Sequence, residues 1–85
     1  MRYAIQDTGP TCALTATENH NATMLPLPIS GDDLRTAIRA MLLDPHMAQS
    51  EVGTVQLVRR PDAIAIISKT GSFSINWGHL TRLVA

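Results

Sequence analysis

The clearest pattern in the chain lies near its end, where Phe73, Ile75 and Trp77 alternate with Ser72, Ser74 and Asn76. A period of two sends one set to a buried face and the other to water, so this stretch predicts a half-buried strand. Ahead of it, Ala63 to Ser68 is an almost unbroken apolar run, which suits a central strand covered on both faces. Thr54 to Arg59 reads as another strand, and Arg60-Pro61-Asp62 between the two supplies turn chemistry. Gly78 breaks the last strand, and Leu80, Leu83 and Val84 outline a terminal helical turn.

The turn before Phe73 decides which side chains share a face. A two-residue loop, Thr70-Gly71, sets Ile64 and Ile66 beside Ile75 and Trp77. A three-residue loop, Lys69-Thr70-Gly71, sets Ala63, Ala65 and Ile67 there instead. Burial favours the first. The poor fit of a β-branched Thr to positive φ favours the second. The sequence leaves both open.

The strongest helical signal runs from 31 to 43. Ser30 is a good N-cap, and Asp33 stands three residues later at the capping-box position. Asp32 and Asp33 also suit the positive end of the helix dipole. Leu34, Ile38, Met41 and Leu42 form one apolar stripe, and Pro45 stops the helix near Leu43 or Asp44. Residues 46–53 read as a connector.

The first third is weaker. Tyr3 to Asp7 predicts a strand, followed by a Thr8-Gly9-Pro10 turn. Thr11 to Thr17 alternates, with Cys12, Leu14 and Ala16 on one side. Glu18 to Asn21 is a polar turn. Thr23 to Ile29 is apolar but holds Pro26 and Pro28, which donate no backbone hydrogen bond, so it predicts an edge strand or an extended connector. Together these elements predict an α+β fold within a single domain, residues 1–85. An antiparallel sheet of about five strands has helix 31–43 packed on the face carrying Phe73, Ile75 and Trp77, and a short C-terminal helix ends it.

Composition narrows the function more than any motif does. Seven basic and seven acidic residues cancel, without the basic excess that phosphate neutralisation asks of a nucleic-acid binder. The single cysteine, Cys12, excludes an intramolecular disulfide and fits a reducing cytoplasm, the expected location. Met1 to Ala13 lacks the basic start and apolar run of a signal peptide. No stretch approaches the ~20 apolar residues of a membrane span, so no membrane partner is expected.

Candidate chemistry is sparse. Cys12, His20, His46 and His79 have no metal-ligand spacing, and no metal or cofactor site is expected. Lys69-Thr70-Gly71 and Ser74-Ile75-Asn76 superficially match two penicillin-recognising signatures. The essential Ser-x-x-Lys is missing, and a hairpin turn explains the first match better. Asp32 and Asp33 point about 100° apart on a helix and make a poor acid–base pair. No catalytic residue is assigned. The exposed cations Arg35, Arg39, Arg59, Arg60, Lys69 and Arg82 are the expected partner-contacting residues.

By exclusion, the expected function is a small non-enzymatic module that binds another protein, with homodimerisation as an added option. In size and plainness alone the chain is similar to the compact inhibitors that phages direct at host defence or regulatory proteins, anti-CRISPR proteins among them. Two alternatives stand beside it. One is a nucleic-acid module using Arg59, Arg60, Lys69 and Arg82, with Trp77 and His79 as stacking groups. The other is a small enzyme or ligand binder whose site forms only on folding or dimerisation.

Overall fold

A computed structural model describes residues 1–84. In chain order it holds β1 (Arg2–Asp7), β2 (Cys12–Glu18), β3 (Asn21–Leu27), α1 (Gly31–Leu43), β4 (Gln49–Val52), β5 (Val55–Arg59), β6 (Ala63–Ser68), β7 (Gly71–Asn76) and α2 (Trp77–Leu83). The α+β class is as expected, but the single sheet is not. The strands form two antiparallel sheets, β1-β2-β3 and β4-β5-β6-β7.

Two local features divide the sheet. First, the expected connector 46–53 contains β4, which folds back on β5 with Val52 opposite Val55. Second, β3 carries Pro26 opposite Ala13 and ends the first sheet. A strand interrupted by proline lacks a full row of donors, so it serves as an edge and builds no ladder onto β7. The sheets meet there by side chains: Thr70 Oγ1 donates to the Pro26 carbonyl at 3.5 Å. Gly71, at φ +155°, sits so close that an added Cβ would lie 3.3 Å from Leu25 Cδ1.

Helix α1 forms as its sequence dictates. The Asp33 N–H donates to Ser30 Oγ at 3.1 Å, and the Asp44 N–H closes the last turn on the Ala40 carbonyl at 3.0 Å. Leu34, Ile38 and Met41 are fully buried. The helix packs against β4 and β1, the outer strands of the two sheets, and does not simply lie across the Phe73–Ile75 face. Contacts thus run around one core: β1 to β3, across to β7, back to β4, and through α1 to β1. Leu14, Leu57, Ile64, Ile66, Ile75 and Leu80 fill it with no exposure. Each such side chain contributes about 1.5–3 kcal/mol by leaving water.

The β6–β7 hairpin differs from both sequence expectations. Its loop is Lys69-Thr70, with Ser68 opposite Gly71, Ile64 opposite Ile75 and Ile66 opposite Phe73. The loop is two residues long but sits one residue earlier than expected. That keeps Ile64 and Ile66 on the aromatic face, as burial favours, while Gly71 opens the strand. Ser68 Oγ accepts the Thr70 N–H at 3.3 Å and steadies the turn. The shift also releases Trp77 from the strand. Asn76 becomes the N-cap of α2, accepting the His79 N–H at 3.1 Å, and Trp77 is half-buried in the first helical turn.

Candidate functional site

Of the six expected partner-contacting cations, three spend their guanidinium groups inside the fold. Arg35 bridges Asp7 at 3.1 Å and Asp32 at 3.3 Å, tying α1 to the end of β1. The Asp7 carboxylate reaches it because residue 31 is glycine: a Cβ there would lie 1.8 Å from Asp7 Oδ1. Arg39 donates twice to the Val84 carbonyl, at 3.2 and 3.0 Å, and holds the chain after α2 against α1. Arg59 donates to the carbonyls of Met47 at 2.7 Å, Asp44 at 2.8 Å and Met41, closing the segment that follows α1 onto β5.

Arg60, Lys69 and Arg82 are exposed, and the topology keeps Arg60 and Lys69 apart. Arg60 stands in the β5–β6 turn and Lys69 in the β6–β7 turn, at opposite ends of β6. Arg82 lies in the last turn of α2. Arg60 and Lys69 therefore do not join in one cluster of the kind a phosphate backbone would require.

A site that the sequence did not single out lies around Lys69. An open groove of about 520 Å³ runs between β3 and the β6–β7 hairpin. Its walls are Ala13, Met24, Pro26 and Leu27, with Lys69 and Thr70 on the hairpin side. Met24 is 58% exposed, on a strand whose Leu25 and Leu27 point into the core. The alternation explains this: β3 turns Leu25 and Leu27 inward and must turn Met24 and Pro26 outward. The sequence signal lies in the apolar run Met24 to Leu27, where Pro26 marks an edge strand but nothing local shows which apolar side chains stay exposed.

Cys12 borders the same groove but is 2% exposed. Burial pushes its thiol above the ordinary value, the nearby Asp7 charge pushes the same way, and Arg35 opposes them. A thiol held protonated is a poor nucleophile, so Cys12 serves the groove as an apolar wall. Among the described residues there is no group of three His, Cys, Asp or Glu side chains able to hold a metal ion. No helix among them is long and apolar enough to cross a membrane. No protein-family model, curated protein or solved structure matches the chain.

Proposed function

We propose that the chain is a non-enzymatic protein-binding module that receives a segment of another protein in the groove between β3 and the Lys69 hairpin. The observation that carries this reading is an apolar, open groove with an exposed methionine on its wall. Methionine is unbranched and polarisable, and it adapts to the shape of a docked apolar side chain. Pro26 removes a donor from the β3 edge, so recognition rests on side chains and not on the addition of a strand. Thr70 and Lys69 give the groove a polar rim around its apolar centre, the usual anatomy of a transient interface. Occluding a partner's functional surface, as compact inhibitor proteins do, is the mode of action we favour.

The test is quantitative affinity capture from the native cell or host with two baits, the wild-type chain and Met24→Glu. A single stoichiometric partner held by the first and lost by the second supports docking in this groove. A partner held equally by both places the interface elsewhere.

A further inference from the structure

We propose that a second groove, at the opposite end of β6, binds a phosphorylated nucleoside, with Arg60 holding the phosphate and the Tyr3–His79 ring pair receiving the base. The groove is open, encloses about 550 Å³ and is bordered by Tyr3, Arg60, Asp62, Ser74, Asn76 and His79. That volume falls within the roughly 300–1,000 Å³ of small-molecule sites. Its lining is mixed: the polar groups of Arg60, Asp62, Ser74 and Asn76 stand beside Met1, Pro61 and Ala63, so it offers hydrogen-bonding groups and apolar surface together.

The frame of the site is fixed, and its two charged side chains, Arg60 and Asp62, are free of ion pairs among the described residues. The Arg60 N–H donates to the Ala63 carbonyl at 2.8 Å, and the Trp77 N–H donates to the Asp62 carbonyl at 3.3 Å. The turn backbone is therefore pinned from both sides. Neither the Arg60 guanidinium nor the Asp62 carboxylate has an ion-pair partner among the described residues. The two neighbouring arginines thus have opposite fates: Arg59 is consumed by backbone carbonyls, and Arg60 keeps its donor fork available.

The aromatic side of the groove is also positioned. Tyr3 and His79 meet edge to face at 5.2 Å, and Phe73 meets Tyr3 edge to face at 6.4 Å. Both Tyr3 and His79 border the groove, and an aromatic ring can stack on any nucleobase, because every base has a π-face. A guanidinium fork matches a phosphate in geometry as well as charge. Asp62 accepts from an exocyclic amine or a ribose hydroxyl. A polymer is a poorer fit than a mononucleotide: the groove offers one arginine, whereas a strand needs a row of phosphate contacts.

The experiment follows backbone amides of the ¹⁵N-labelled chain by NMR while AMP, adenosine or inorganic phosphate is added separately. AMP is expected to give saturating shifts at Tyr3, Arg60, Ala63 and His79, with a Kd below about 1 mM. Adenosine is expected to bind about fivefold or more weaker, and Arg60→Ala to weaken AMP by a similar factor. Arg60→Lys should fall between, since it keeps the charge and loses the fork. Arg60 is exposed, so both variants should retain the wild-type spectrum outside the groove. The proposal is overturned by any of three results: no saturating shift at these residues, equal affinity for AMP and adenosine, or AMP binding by Arg60→Ala unchanged from wild type. AMP-induced shifts centred on Lys69 overturn it as well, by placing the ligand in the other groove.

Discussion

The Arg59 guanidinium lies 4.9 Å from the centre of the Trp77 ring. It reaches that position while donating to carbonyls at the end of α1 and in the segment that follows. One side chain therefore joins α1, β5 and the first turn of α2. A residue that looked in sequence like a surface cation is a structural clasp.

Replacing Arg59 with Ala should cost about 2–3 kcal/mol, from unmet carbonyls and a lost cation–π contact. Arg59→Lys should recover less than half of this, because one ammonium lacks the planar fork that serves several carbonyls. Urea unfolding, followed by Trp77 fluorescence, measures both. A wild-type midpoint for Arg59→Ala would show that the clasp contributes nothing.

Arg39→Ala should act more locally. It removes two donors from the Val84 carbonyl, which hold the residue after α2 to α1. A loss of about 1 kcal/mol is expected, with the amides of α2 exchanging faster than those of β5 and β6. Hydrogen exchange separates this local fraying from global destabilisation.

Ile38 is fully buried where α1 faces the core between the sheets. Ile38→Ala should cost about 2–5 kcal/mol, and Ile38→Val about 0.5–1.5 kcal/mol. Thermal unfolding of the two variants checks the ratio. A small cost for Ile38→Ala would mean that α1 is not the element closing the core.

Cys12 predicts a particular alkaline behaviour. Its folded pKa is raised above the ordinary 9.0, chiefly by burial and secondly by Asp7. The folded state therefore prefers the neutral thiol more than the unfolded state does. The resulting stability is fully present below the unfolded pKa and is lost as pH rises from there through the folded pKa. Stability of the wild type relative to Cys12→Ala should be flat up to about pH 8 and fall beyond about pH 9. A thiol reagent at neutral pH should react slowly until the chain unfolds. Rapid labelling of the native protein would contradict the burial assigned to Cys12.

Much of this fold is legible in the residues, and the limits have identifiable causes. The α1 boundaries follow from Ser30, Asp33 and Pro45, because caps and breakers act within a few residues. The division into two sheets depends on whether β3 pairs with β7, which is a choice between strands far apart in sequence. Pro26 gave a hint of an edge but not of which strand would lie beside it. The Lys69-Thr70 loop is hidden because Gly71 is a turn signal in the sequence and yet opens β7. The intramolecular bonds of Arg39 and Arg59 are hidden for a similar reason. Charge alone does not reveal that Arg39 and Arg59 face distant carbonyls, whereas the Arg35–Asp32 pair is visible as a helical i, i+3 spacing. The Met24 groove required knowing that the hairpin tip comes to rest beside β3.

Partner capture by the Met24→Glu chain, measured as the ratio of retained partner to bait against wild type, tests the groove most directly. Met24 is exposed, so the substitution should leave the free energy of unfolding within about 0.5 kcal/mol of wild type. Groove docking predicts that retained partner falls at least about tenfold, because a charge is placed where an apolar side chain must seat. An undiminished ratio, with the fold intact, would contradict it.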